Sequence, residues 1–328
     1  MTDFRMSLGF AALFSLVLVI VASGCTLPGV TPPNTNQTDG NTTEPGVTTT
    51  SLSPDLLISD FGSDIPQSLR PSDSFALSAT LKNTASAEVT QGGFLRSVEV
   101  QFYDFSDYIM HDACPSTISM GTLQPGVEKT VSCQCRVKPK ASWPDQSRTS
   151  YSQSPKIRVK YSYDLYATLD QVSVMSRSEF ARQNPVQKTI ASAITGPLTI
   201  TLKADSIPAR ADDQIRISVV LNADDPSLIQ GPTPDSTYKI GVVRIGVPSG
   251  FEIVSKGQFE SEGTEGDYTW LTKYGVALDS MGQASLSATV KIPYLPGNSP
   301  SETYSFRAVA SNFNVIKTAS TNIYISAV

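Results

Sequence analysis

His111, Cys114, Cys133 and Cys135 are the residues of this chain best suited to chemistry. His111 is the one histidine in the sequence, and Cys25 is the only cysteine outside the group. The pattern is H-x-x-C, a gap, then C-x-C. Soft sulfur and imidazole ligands in a set of four suit zinc or copper. Cys133 and Cys135 alternate on one strand face, so both can reach one ion. The competing reading is a disulfide from Cys114 to Cys133 or to Cys135. It leaves one thiol over, buried as a small apolar residue or joined to a second chain. Closing a loop of about 20 residues stabilises by roughly 3 kcal/mol. In an exported chain the disulfide is the stronger reading of the two.

Other constellations are weaker. Glu260, Glu262, Glu265 and Asp267 crowd one Gly-containing stretch. Paired carboxylates do glycosidase work, and hard oxygens hold Ca²⁺, but a solvated hairpin loop explains the same residues. Asp224-Asp225 before Pro226 divides in the same way. Trp143, Tyr268, Trp270 and Tyr274 offer rings for stacking on sugars, and Tyr268 and Trp270 share a strand face by spacing. Cross-strand packing accounts for them equally. A Ser-His-Asp arrangement would have to use His111. The sequence contains no G-x-S-x-G elbow or H-E-x-x-H helix, and Gly92-Gly93 sits between strands as a turn. The expectation is a protein without catalytic activity and without a cofactor.

The elements that must position these residues are strands. Period-two alternation sets Phe75, Leu77, Ala79 and Leu81 on one face, and likewise Val98, Val100 and Phe102. Val131, Cys133, Cys135 and Val137 align, as do Ile157, Val159, Tyr161, Tyr163 and Leu165. Ile215, Ile217, Val219 and Leu221 repeat the design, followed by runs at Tyr238–Val247, Ala284–Ile292, Thr303–Val309 and Thr321–Val328. Ile65-Pro66, Arg70, Asp73 and the Phe75–Leu81 run reappear about 140 residues on as Ile207-Pro208, Arg210, Asp213 and Ile215–Leu221. Tyr161-Ser162-Tyr163 matches Tyr304-Ser305-Phe306 in the same order. Between the copies Ser176–Gln183 starts as a short helix, with Ser176 as cap and Glu179 at the third position.

The N-terminus reads as an address. Arg5 precedes an apolar run at Leu8–Ala22, then Ala22-Ser23-Gly24 and Cys25. Small residues before a cysteine resemble a lipobox, which implies lipidation of Cys25 and anchoring to the cell membrane. The place three before the cysteine, aliphatic in that pattern, is Ala22. An uncleaved anchor or ordinary signal-peptide cleavage remain alternatives, and all three put the rest of the chain outside the cytoplasm. Residues 26–53 are rich in Thr and Pro and bury too little to order, so a disordered stalk is expected. Asn36 and Asn41 there begin glycosylation sequons. With 17% charged residues, a net charge of −5 and no basic block, nucleic acid is excluded as a partner.

Gly121-Thr122-Leu123-Gln124-Pro125-Gly126, with Glu128–Val131 after it and Ser97–Tyr103 before, resembles the "L-x-P-G" turn and strands of bacterial and archaeal surface immunoglobulin-like domains, the CARDB-like group among them. The resemblance covers residues 54–176 and is weaker over 197–328. It implies adhesive, spacer or presentation modules, non-enzymatic. The expectation is therefore an all-β, archaeal-like surface lipoprotein with two tandem immunoglobulin-like sandwiches. Its parts would be a signal or anchor at 1–25, a stalk at 26–53, sandwiches at 54–176 and 197–328, and a connector at 177–196. Its partners would be the membrane and a surface protein or glycan. The alternative is a ligand-binding lipoprotein for carbohydrate or for a soft metal at His111, Cys114, Cys133 and Cys135.

Overall fold

Alternation of buried and exposed residues produces strands along nearly the whole chain. The computed structural model describes residues 46–52, 55–85, 93–295 and 299–327. Cys25, Asn36 and Asn41 lie outside them, as do the signal segment and residues 26–45 of the expected stalk. In chain order the first strands are β1 (Gly46–Leu52), β2 (Leu56–Ser59), β3 (Ser74–Asn83), β4 (Leu95–Tyr103), β5 (Ile109–Met110), β6 (Ile118–Leu123) and β7 (Glu128–Val137). Then come β8 (Ser150–Gln153), β9 (Lys156–Ser162) and β10 (Leu165–Met175), the helix α1 (Arg177–Gln183), β11 (Lys188–Thr195), β12 (Leu198–Ile207), β13 (Ala209–Arg210) and β14 (Gln214–Ala223). The rest are β15 (Ile229–Gln230), β16 (Ile240–Pro248), β17 (Glu252–Ser255), β18 (Ser261–Glu265), β19 (Tyr268–Val276), β20 (Gln283–Lys291), β21 (Ser301–Ser311), β22 (Asn314–Ser320) and β23 (Ile323–Ser326).

The expected all-β architecture is the one observed: sheets in a sandwich-like arrangement. One sandwich combines β2-β3-β7-β5 with β15-β22-β9-β4-β6, and the β23-β8 pair joins it through Leu69, whose N–H donates to Tyr324 O at 2.9 Å. The other combines β1-β11-β12-β14-β20-β17 with β13-β10-β21-β16-β19-β18. Phe75, Leu77, Ala79 and Leu81 are buried on the inner face of β3, and Ile215, Ile217, Val219 and Leu221 on that of β14. No helix among the described residues is long and apolar enough to cross a membrane.

The sheets do not divide at the expected boundaries of 54–176 and 197–328. Apart from its edge strand β1, the second sandwich comes from residues 165–311, inserted into the first, which is completed by β22 and β23. The chain leaves along β9 into β10 and returns along β21 into β22. These two passages lie side by side and antiparallel, Ser162 opposite Asn314 and Leu165 opposite Ala310. The expected run from Ile157 to Leu165 is thus interrupted only where it changes sandwiches. Tyr163 and Phe313 fill that crossing, both buried and edge-to-face with centroids 5.1 Å apart. A second tie is β15, which belongs in sequence to the inserted body yet pairs Ile229 with Val315 on β22. Residues Pro45–Val328 accordingly form one compact unit.

Two other expectations need correcting. The 177–196 connector contains α1, capped as read, with Ser176 Oγ accepting the Glu179 N–H at 3.3 Å. Hydrogen bonds from Arg182 and Gln183 hold the Glu179 carboxyl down at about 2. The connector then becomes β11, a strand of the inserted sandwich. Ile190, Ala191, Ser192 and Ala193 are buried in succession, so its residues carry no period of two. The expected stalk ends early as well: Gly46–Leu52 pair parallel to β11 as β1. Their sequence, GVTTTSL, is dense in β-branched residues that suit a strand.

The internal repeat extends to the backbone. Ser72 and Asp212 both take left-handed φ, 74° and 68°. Asp73 N–H donates to Arg70 O and Asp213 N–H to Arg210 O, at 3.0 and 3.1 Å. Val137 N–H donates to Asp73 O, and Ile292 N–H to Asp213 O. The two copies enter their central strands, β3 and β14, through the same turn. The Gln124-Pro125-Gly126 motif is also a turn: Val127 N–H donates to Gln124 O at 3.1 Å, with Gly126 at φ +70°. A type II turn gives that position to glycine and the one before it to proline.

Candidate functional site

The cysteines meet at one end of the first sandwich. β7 carries Cys133 and Cys135 inward, opposite Leu77 and Phe75 of β3, and both are buried. Cys114 comes from the loop after β5, a strand that pairs with the end of β7. Its N–H donates to His111 O at 2.8 Å, which folds the loop back over β7. Cys114 and Cys133 form a disulfide with Cα atoms 5.0 Å apart. Cys135 Sγ lies 3.6 Å from Cys133 Sγ and 3.8 Å from Cys114 Sγ. The sequence left the choice between Cys133 and Cys135 open, and the structure assigns the bond to Cys133.

His111 is not part of this group. Its imidazole stacks on Phe105, centroids 4.5 Å apart, and the described metal-ligating cluster comprises only Cys114, Cys133 and Cys135. With two of the three sulfurs bonded to each other, the oxidised cluster offers a single thiol. Burial pushes that thiol, Cys135, up to about 12. Because the folded pKa exceeds the unfolded one, the neutral thiol's stabilisation is complete below the ordinary thiol pKa and is lost as pH rises toward 12. Iodoacetamide at pH 8 should therefore leave Cys135 unlabelled in the native protein and label it once urea unfolds the chain. Equal labelling in both states would contradict the burial.

The acidic stretch is a hairpin. β18 and β19 pair Glu265 with Tyr268 across Gly266-Asp267, and Gly266 has φ +58°, the position a two-residue hairpin turn opens with glycine. Each flanking carboxylate faces a cation: Glu260 Lys273, Glu262 Lys256 at 3.2 Å, Glu265 Arg244 at 3.0 Å. Asp225 accepts from the N–H and Oγ of Ser227 at 2.9 and 2.6 Å, an Asx turn. The solvated-loop reading therefore accounts for both acidic groups.

The four rings do not form one platform. Trp143 belongs to the first sandwich, where it is buried, donates from Nε1 to Lys138 O at 2.9 Å and meets Tyr108 edge-on. Tyr268 and Trp270 do share the outer face of β19, as their spacing required, centroids 5.9 Å apart. Trp270 lies flat across Gly246 of β16, where an added Cβ would approach the indole to 3.0 Å. The Arg244 guanidinium stands 4.4 Å over the same ring, and Arg307 of β21 stands 4.6 Å over Tyr268. Arg244 pairs in register with Val309, and Arg307 with Gly246, so the two arginines are diagonal neighbours on adjacent strands. The sequence reading named neither. Their signal was the outward parity of Arg244 and Arg307, visible only once the register was known.

These features define an all-β protein of two interleaved sandwiches, with a core disulfide among the described residues and an arginine–aromatic ladder on one outer face. No protein-family model matches the chain, and no curated protein does. Among solved structures, one titled pT26-6p aligns with 10% identity over 75% of this chain and 61% of its own, at a TM-score of 0.23. The chain thus spans about six-tenths of that structure. The collagen binding domain of the Erysipelothrix rhusiopathiae surface protein RspB aligns with 9% identity over 84% of this chain and 96% of its own, at a TM-score of 0.14. At these scores neither likeness bears on function.

Proposed function

We propose that this chain is an exported, membrane-tethered surface module that binds or presents, and does not catalyse. The observation that carries the reading is the Cys114–Cys133 disulfide, set in the core of a sandwich. Disulfides of this kind persist in oxidising compartments and are rare in the cytosol. The export-type segment at Met1–Cys25 supports the same location. A non-catalytic role is supported by the state of the groups that acid–base chemistry would use. Glu260, Glu262 and Glu265 of the hairpin are matched with cations, and the His111 ring is engaged by Phe105.

The test is fractionation of native cells, followed by mass spectrometry of the mature chain. The expected result is a membrane-associated, surface-accessible protein whose first residue is a lipid-modified Cys25. A cytosolic protein that keeps residues 1–25 would sink the proposal. A ligand-binding role on the same surface is favoured by the ladder of Arg244, Trp270, Tyr268 and Arg307. The cysteine cluster favours it less, since it offers a single buried thiol.

A further inference from the structure

We infer that the outer face of β10, β21, β16 and β19 binds an acidic polysaccharide of the uronate type, with Arg307 as its principal carboxylate contact. This deepens the surface-module reading and rests on it. Arg307 is exposed and its guanidinium is laid on the Tyr268 ring. Stacking fixes the plane of the fork and reduces the rotamer freedom lost on binding, while the N–H edges stay free. Among the described residues no ion pair is recorded for Arg307, whereas Arg244 shares Glu265 and Arg96 shares Asp164 at 2.5 Å. Asp170, the further acid on this face, is engaged by Ser305 Oγ at 2.6 Å, so the Arg307 fork is the one guanidinium of the three not matched to a carboxylate. A planar carboxylate fits that fork with two parallel hydrogen bonds.

The shape favours a polymer of rings. Arg244, Trp270, Arg307 and Tyr166 border a depression of about 330 Å³, and Tyr166 also borders one of about 280 Å³ beside Arg96 and Phe94. The two share Tyr166, which sits on β10 just past the crossing between sandwiches, so the groove continues from one body onto the other. Exposed Tyr166 and Phe94 provide apolar faces along it. An extended peptide fits less well. It gains affinity by adding main-chain hydrogen bonds at an open strand edge, and β21, β16 and β19 are each paired on both sides here. Side-chain forks and ring faces, without main-chain pairing, are how a sugar chain is held.

Calorimetric titration of the full chain with galacturonate oligosaccharides tests this, with dextran, dextran sulfate and polyglutamate as comparison probes. Saturable binding of galacturonate and none of dextran is expected. Arg307→Ala should weaken it roughly tenfold or more. Arg307→Lys, which keeps the charge and loses the stacked fork, should recover only a small part. Glu265→Gln should tighten it, and Lys188→Ala, at the exposed first residue of β11, should leave it unchanged. Unaltered melting temperatures show that the variants fold. Wild-type affinity in Arg307→Ala, equal binding of polyglutamate, or binding that follows only the charge density of dextran sulfate would each overturn the site. If the titrations fail but the chain is still found at the surface, the ligand is wrong and the surface role stands. A cytosolic full-length chain removes the surface role whatever the titrations give.

Discussion

Cys114→Ser is expected to lower the unfolding free energy by about 3 kcal/mol, because the bond it removes closes a loop with a sequence separation of 19. For a unit of this size roughly 2–4 °C of melting temperature follows each kcal/mol, which makes the shift plain in a thermal scan. Cys114 is only partly buried, so the serine hydroxyl reaches water and adds little cost of its own. A reductant acting on the wild-type protein should bring it to the same midpoint, and the variant should then ignore the reductant. A wild-type melt indifferent to reductant would show that the sandwich does not depend on this bond. Cys133→Ala is the informative companion. It leaves Cys114 with Cys135 as its neighbour at 3.8 Å, so folding under oxidising glutathione should yield a Cys114–Cys135 bond by peptide mapping.

Phe313→Ala should be costlier, about 3–5 kcal/mol, since it empties a fully buried aromatic position. The location matters as much as the size. Phe313 sits between β21 and β22 and meets Tyr163 between β9 and β10, at the place where both strands change sandwiches. Removing the ring loosens the joint through which the two bodies stabilise each other. Differential scanning calorimetry should show one transition in the wild type and two in the variant. A single transition, merely shifted, would mean that the β15–β22 pairing and the continuous ribbon suffice to couple them.

Much of the strand content was legible because burial on one face writes a period of two into the sequence. The runs at Phe75–Leu81 and Ile215–Leu221 fold as read, and the Ser176 and Glu179 cap is where the residue types placed it. What was not legible is which strands pair. β22 has a single buried residue, Val315, and so little local signal, and its pairing with β9 is a long-range contact no local pattern encodes. β11 shows no period of two, because its small residues are buried on successive positions. At the candidate site, spacing placed Tyr268 and Trp270 on one face. The arginines that cover them come from two other strands, and only the register of β16 against β19 and β21 brings them together.

The insertion fixes an order of assembly. On a ribosome or in a secretion channel, residues 165–311 emerge with β1 already made and with every other partner but β15's among themselves, so that body can close at once. The earlier-made body must wait, with β9 unpaired on one side and β8 without β23, until residues 314–326 appear. The half made first is finished last, which reverses the usual N-terminal-first sequence of domain folding. Its open strand edge is therefore the part of the nascent protein most in need of a chaperone's cover.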